Sequence, residues 1–300
     1  MPTRTTTAWV AALLVATTLT GCGASTVVSE ATDSSATTGA PAASPTRSAP
    51  VAAFDPAAVS RLFLPTAPGS ATTGALPLIV LVPGGGWVSH DNGGLVPLAE
   101  KLAAAGFAVV NTSYRAGQEG VHFPVPIHDV QCSIAYAATT AASQGIRGGP
   151  VIVVGHSAGG HLGALAAVSG DALHPVCADP MPAITGFVGL GGIYDTATFE
   201  PFLTGFFGVP RAGNLALWAS GDPIAYVAAG KAPPRLQVLL LTGGNDNVVP
   251  STQASSFEAA LLTAGVPVTL DTVTDVGHLD LITPAVAATP IISWVKTLAR

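Results

Sequence analysis

The feature that most constrains this chain is an apolar strand that runs into a serine flanked by small residues. Residues 151–154 form a β-branched run, residues 155–159 read Gly-His-Ser-Ala-Gly, and a helix-prone stretch follows over residues 161–168. A sharp turn between a strand and a helix leaves the hydroxyl of Ser157 above the strand ends, where it is presented as a nucleophile.

Other interpretations of this turn are a tight connection without a catalytic role, a phosphate-binding loop or a dinucleotide-binding loop. The first remains open, because short runs of small residues arise by chance in a chain with 34 glycines. The absence of a Gly-Lys-Ser/Thr ending disfavours a phosphate loop, and the spacing differs from the Gly-x-Gly-x-x-Gly pattern of dinucleotide sites.

Short apolar runs alternate with segments of helical periodicity along most of the chain. The predicted strands are residues 78–82, 107–111, 151–154, 187–190, 236–241 and 268–273. The predicted helices are residues 95–105, 127–143, 157–169, 252–264 and 285–298. This alternation predicts an α/β fold, with a mostly parallel sheet covered by helices on both faces. Functional residues are then expected at the carboxyl ends of the strands.

A serine hydroxyl needs a neighbouring base, which is usually a histidine. Of the seven histidines, three follow Ser157: His161, His174 and His278. His278 alone comes after the last predicted strand, in a turn-like sequence that can bring its ring over the strand ends, and it is the predicted base. His156 precedes the serine and is expected to be a packing residue.

The histidine in turn needs a carboxylate that fixes its tautomer. Asp246 follows the apolar strand 236–241 and is expected at a carboxyl strand end, before the histidine in chain order. Asp271, Asp275 and Asp280 are closer to His278 in sequence, and Asp275 is the serious rival. Asp246 is preferred because it comes from its own strand end in the order nucleophile, acid, histidine.

Ester hydrolysis also places negative charge on the carbonyl oxygen of the substrate, which backbone N–H groups can stabilise. The expected donors are Ala158, directly after the nucleophile, together with Gly85 and Gly86 in a triple-glycine segment that ends at Trp87. The segment follows the strand 78–82, so it is expected near the serine. A flexible surface loop is the alternative.

These motifs together resemble an α/β-hydrolase of the carboxylesterase group, closest to hormone-sensitive-lipase-like and bacterial feruloyl-esterase-like enzymes, which also resemble kynurenine formamidases. The motifs that carry the resemblance are residues 84–87, 111–115, 123–124, 128–130, 155–161, 192–195 and 246–250. The resemblance implies an α/β-hydrolase fold over residues 75–295 and a Ser157–His278–Asp246 triad. One departure is Pro83, where the family has a histidine that helps to hold the oxyanion loop.

The amino-terminal sequence predicts export. Residues 1–21 combine Arg4 with a short apolar stretch, as a secretory signal peptide does, and residues 19–22 read Leu-Thr-Gly-Cys. This ending resembles the lipobox of bacterial lipoproteins, so Cys22 is expected to carry lipid and to attach the protein to a membrane without spanning it. An ordinary signal peptide is the alternative. Residues 22–55, rich in Ala, Ser, Thr and Pro, are predicted to be a disordered tether before a catalytic domain over residues 56–300.

Two further cysteines, Cys132 and Cys177, are expected on neighbouring elements, and in an exported protein they can form a disulfide or remain as two buried thiols. Arg115 has two interpretations, a carboxylate-binding residue or a structural ion-pair residue. The aromatic residues of segment 196–220 either form an apolar cap over the site or pack that segment onto the domain.

The predicted function is hydrolysis of a small-molecule carboxylic ester through an acyl-enzyme. The chain carries a formal net charge of −6 and no basic run, so no nucleic-acid partner is expected. No metal-ligand spacing is present, and no metal or other cofactor is expected. An amidase, formamidase or acyltransferase with the same triad is the alternative, as is a non-catalytic binding protein with a hydrolase fold.

Overall fold

The computed structural model of the protein describes residues 53–66, 73–173 and 175–298. The proposed signal segment, Cys22 and most of the predicted tether lie outside the described residues. Phe54 and Asp55, at the end of that tether, already contact the domain: the Asp55 carboxylate caps the first helix, and the Phe54 ring lies 5.6 Å from the guanidinium carbon of Arg115.

Within the described residues the strands form one seven-stranded sheet in the order β1-β3-β2-β4-β5-β6-β7. The strands are β1 (Arg61–Phe63), β2 (Leu78–Val82), β3 (Ala108–Asn111), β4 (Val151–His156), β5 (Ile184–Leu190), β6 (Gln237–Gly243) and β7 (Val268–Val273). Strand β1 pairs antiparallel with β3, and the other neighbouring pairs are parallel. The predicted strands are therefore confirmed, while β1 is an additional edge strand.

Helices cover both faces of the sheet. They are α1 (Pro56–Val59), α2 (Val96–Ala104), α3 (Val125–Ser143), α4 (Ala158–Val168), α5 (Glu200–Phe207), α6 (Leu215–Ser220), α7 (Pro223–Ala228), α8 (Thr252–Thr263) and α9 (Pro284–Leu298). None of the helices in the described part of the chain is long and apolar enough to cross a membrane.

Alternation along the buried strands explains the two helical layers. In β2, Val80 and Val82 belong to the core cluster that includes residues of α3, α4 and α8, whereas Ile79 and Leu81 belong to the cluster with α2 and α9. Successive strand residues point to opposite faces, so an apolar residue at every position gives the sheet two buried faces. The carboxyl edge of the sheet remains for the loops that form the site.

A disulfide joins α3 to the segment after α4. Cys132 and Cys177 are bonded, with their Cα atoms 5.2 Å apart. The bridge closes a loop that spans 45 positions and contains β4, Ser157 and α4, so it ties helix α3 to the segment that leads into β5.

Candidate active site

Ser157 lies at a strained turn between β4 and α4. Its backbone has φ 53° and ψ −122°, a left-handed φ that residues with a side chain adopt rarely. Two glycines make the turn possible: a Cβ atom at Gly155 would overlap the carbonyl of Gly159, and one at Gly159 would overlap the carbonyl of Pro83. The Ser157 N–H donates to the carbonyl of Leu190 at 3.0 Å, which fixes the turn to the end of β5.

Asp246 and His278 form a buried pair at the same edge of the sheet. The Nδ1 atom of His278 lies 2.7 Å from Oδ2 of Asp246, and the side chains are 7% and 1% exposed. The other carboxylate oxygen accepts the N–H groups of Val248 and Val249, both at 2.9 Å. Because a carboxylate only accepts hydrogen bonds, Nδ1 carries the proton and Nε2 keeps its lone pair. Nε2 is then able to accept a proton from a serine.

Two sets of distances place Asp246 and His278 beside the turn at Ser157. A Cβ atom at Gly191, which follows Leu190 at the end of β5, would lie 3.1 Å from Oδ2 of Asp246 and 3.2 Å from Nδ1 of His278. The ring of His156, next to Ser157 in the chain, lies 4.6 Å from the His278 ring. Among the described residues no hydrogen bond joins His278 to the Ser157 hydroxyl, and such bonds are often long in enzymes without bound substrate.

The rival carboxylates do not hold His278. Asp280 accepts the N–H of Gly277 at 3.2 Å, Asp275 lies in a turn with φ 60°, and Asp271 is exposed on β7. The bonded partner of His278 is Asp246, which arrives from the end of β6.

The triple-glycine segment lies against the serine turn. A Cβ atom at Gly84 would lie 3.0 Å from the Cβ atom of Ser157, and Gly85, Gly86 and Trp87 all have positive φ, at 132°, 61° and 58°. The carbonyl of Gly85 is used inside the loop, where it accepts the N–H groups at positions 88 and 89. The backbone therefore passes close to Ser157, as the expected donors Gly85 and Gly86 require. Ala158 is the first residue of α4, where helix N–H groups lack partners within the helix.

A fully buried histidine on α4 connects three parts of this edge. The indole N–H of Trp87 donates to Nδ1 of His161 at 3.1 Å, and Nε2 of His161 donates to the carbonyl of Gly221 at 2.7 Å. His161 therefore joins the glycine segment, the nucleophile helix and the chain before α7. The sequence around His161 gives no signal of this role, since its partners lie 74 and 60 positions away.

A family model described as BD-FAE matches residues 64–261, about two thirds of the chain. The chain belongs to the BD-FAE family. The matched region includes Ser157 and Asp246, and His278 follows it. This family consists of esterases with the α/β-hydrolase fold, so the predicted resemblance and fold class are confirmed.

Two mycobacterial proteins that are similar to this BD-FAE chain are described as ester hydrolases. Esterase LipQ of Mycobacterium tuberculosis (strain ATCC 25618 / H37Rv) is 32% identical over 200 residues, which are 63% of this chain and 46% of LipQ. The probable carboxylic ester hydrolase LipM of the same organism is 28% identical over 197 residues, 62% of this chain and 44% of LipM. The chain thus spans about half the length of these curated relatives.

A solved structure titled as a truncated form of a carbohydrate esterase from gut microbiota superimposes with a TM-score of 0.69 and 20% identity. It covers 80% of this chain and 90% of that one. At this identity the likeness concerns the fold alone.

The remaining interpretations concern residues around the BD-FAE site. Arg115 forms an ion pair with Asp129, to which its Nε and Nη2 atoms donate at 2.8 Å, so the structural interpretation holds.

In segment 196–220 the aromatic side chains are buried, except for Phe202, which is 64% exposed. The buried ones are Phe199, Phe206, Phe207 and Trp218. They pack the segment onto the domain. The described residues contain no group of three or more His, Cys, Asp or Glu that could hold a metal.

Two buried histidines stay neutral in the folded BD-FAE domain. Burial lowers the pKa of His161 from 6.5 to about 4. Burial, followed by the nearby His278, also lowers the pKa of His156 to about 4, and its Nε2 atom donates to the His278 carbonyl at 3.0 Å. His156 is thus more than a packing residue, because it holds the backbone of the predicted base.

These lowered pKa values predict that folding stability falls as the pH decreases from about 6.5 to about 4, since the unfolded chain takes up protons that the folded chain does not. Each histidine contributes about 3 kcal/mol over that window. Urea unfolding of wild type and His161→Gln at several pH values checks this. The stability advantage of wild type should shrink as the pH falls, and a constant difference would contradict the prediction.

Proposed function

We propose that this protein is a serine esterase that hydrolyses small carboxylic esters through an acyl-enzyme. The proposal rests mainly on the 2.7 Å bond between Asp246 and His278 beside the strained turn that presents Ser157. Membership of an esterase family supports the reaction class. A nucleophile, a base and an acid that reach one sheet edge from separate strands form the arrangement that acyl transfer requires.

In the first half of the proposed reaction, Nε2 of His278 removes the proton from the Ser157 hydroxyl as its oxygen attacks the ester carbonyl. The carbonyl π bond opens, and the negative charge on its oxygen is stabilised by the N–H groups of Gly85, Gly86 and Ala158. The intermediate then collapses, the bond to the leaving oxygen breaks, and the imidazolium of His278 gives that oxygen its proton. Asp246 keeps the ring oriented and stabilises its positive charge.

In the second half, His278 takes a proton from a water molecule, and the hydroxide attacks the acyl carbon on Ser157. The same N–H groups hold the charged oxygen. The bond from the acyl carbon to the serine oxygen breaks, and His278 returns the proton to Ser157. The carboxylic acid leaves, and the protein is ready for another cycle.

The test compares substrates that share one acyl group. The purified protein is given p-nitrophenyl acetate, the matching p-nitroacetanilide, and the ester together with an alcohol acceptor, and it is treated in parallel with a fluorophosphonate probe. We expect ester hydrolysis and labelling of Ser157, located by mass spectrometry of tryptic peptides. Preferred cleavage of the anilide would replace the proposal with an amidase, and a dominant transfer product would replace it with an acyltransferase. Absence of both turnover and labelling would indicate a binding protein.

A further inference from the structure

A second cluster of serine, histidine and carboxylate lies beside the glycine segment. The Nδ1 atom of His90 lies 2.7 Å from Oγ of Ser113, and its Nε2 atom lies 3.0 Å from Oε1 of Glu119. This serine is not a second nucleophile, because it is 3% exposed and its hydroxyl donates to the His90 carbonyl at 2.6 Å. The cluster therefore fixes the backbone at His90.

His90 lies three positions after Trp87, on the loop of residues 83–90, which we call the oxyanion loop. This loop is already bonded to the short helical turn Gly117–Glu119 through the backbone. The N–H of Gly117 donates to the carbonyl of Trp87 at 2.8 Å, and that of Gln118 donates to the carbonyl of Val88 at 2.9 Å. The His90 side chain adds a contact to the same turn and another to Ser113, which follows β3.

The hydrogen bonds of Ser113 determine which nitrogen of His90 carries a proton. Because the serine hydroxyl donates to the His90 carbonyl, it accepts from Nδ1–H of the ring. In a neutral ring Nε2 then has a lone pair, and the side-chain amide of Gln118, 2.8 Å away, donates to it. In a protonated ring Nε2–H donates to Glu119 instead. Both ring nitrogens therefore have a hydrogen-bond partner.

Several ionisable groups surround this ring. Partial burial raises the pKa of the Glu119 carboxyl. Hydrogen bonds from the backbone N–H of Ala116 and from the side chains of His90 and Gln118 lower that pKa overall, so Glu119 remains a carboxylate. The neighbouring Asp91 carboxylate accepts the N–H of Gly93 at 2.8 Å. Arg115, on the other side of Glu119, is paired with Asp129, and the ring of Tyr114 lies 6.2 Å from that of His90.

We propose that His90 is a positioning residue for the oxyanion loop. Through Ser113 and the turn at residues 117–119, it holds the N–H groups of Gly85 and Gly86 at a fixed distance from Ser157. This proposal rests on the proposed esterase function.

A displaced oxyanion donor weakens stabilisation of charge that develops during the reaction and leaves substrate binding unchanged. We therefore expect His90→Ala to lower kcat for p-nitrophenyl acetate by about 10- to 100-fold with KM within about twofold. His90→Asn should recover most of kcat, because the asparagine amide nitrogen can replace Nδ1 as the donor to Ser113. His128 is a half-buried histidine on α3. His128→Ala is therefore the matched control and should retain the wild-type kcat.

Further measurements separate positioning from general damage. The effects of His90→Ala and Ser113→Ala on kcat should be partly non-additive, because both remove the bond between Nδ1 of His90 and the Ser113 hydroxyl. Loss of kcat in His128→Ala as well, additive effects, or a rise in KM alone would overturn the proposal.

One readout is independent of catalysis. Amide hydrogen exchange of residues 84–90 should become faster in His90→Ala and return towards the wild-type rate in His90→Asn. If wild type shows neither turnover nor labelling while the loop still loosens in His90→Ala, the esterase proposal fails and the structural link stands. If wild type is active and the loop exchange is unchanged, the role of His90 is refuted.

Discussion

Replacing Ser157 with alanine is expected to lower kcat for p-nitrophenyl acetate by about 10⁴- to 10⁶-fold, because the variant lacks the oxygen that forms the acyl-enzyme. The residual rate should reflect substrate binding and the oxyanion donors alone. Labelling by a fluorophosphonate should disappear. The measurement is steady-state turnover of both proteins, with thermal unfolding to verify the fold.

A matched control for this substitution is Ser169→Ala. Ser169 is 1% exposed just after α4, and its hydroxyl has no hydrogen-bond partner among the described residues. Removing that hydroxyl should leave turnover near the wild-type level. If Ser157→Ala keeps more than about a tenth of the wild-type activity, the nucleophile is another residue.

The second large effect is expected for Asp246→Asn, which should reduce kcat by about 10³- to 10⁴-fold. An asparagine can present its amide N–H to Nδ1 of His278 and favour the tautomer with the proton on Nε2, which is then unable to accept the serine proton. The negative charge that stabilises the imidazolium is also lost. Labelling by a fluorophosphonate should become slow but remain detectable, since Ser157 is still present.

The control for this substitution is Asp275→Asn. Asp275 is the rival carboxylate, because it lies close to His278 in the sequence. Asp275 lies in a turn with φ 60°, a backbone conformation that asparagine tolerates as well as aspartate does. The variant should retain kcat within about twofold of wild type. Equal losses from both substitutions would show that the carboxylate assignment is incomplete.

Sequence alone predicted the sheet and the strand ends that precede Ser157 and Asp246, because both depend on short-range patterns. Apolar runs bounded by glycine or asparagine identified the buried strands, and parallel strands bring residues after β4 and β6 to one edge. Even there the bounds moved: β5 begins at Ile184 instead of residue 187, since Gly186 interrupts the apolar run.

Elements without a local pattern were missed. Strand β1 has three residues, too few for a detectable alternation, and its place is set by pairing with β3. Helices α5, α6 and α7 have eight, six and six residues, which is too short for a clear helical period. The partners of His161 and His90 could not be predicted either, because those contacts join segments that only the folded sheet brings together.

The bridge between Cys132 and Cys177 has a consequence for resistance to proteolysis. Val176, within the loop that the bridge closes, is fully exposed, so a protease has access to that segment. A cut there separates Ser157 from Asp246 and His278 in the linear sequence, yet the sulfur–sulfur bond keeps both fragments in one covalent molecule. The nicked protein would migrate as a single species until a reductant is added, and only then could the fragment with Ser157 separate from the fragment with Asp246 and His278.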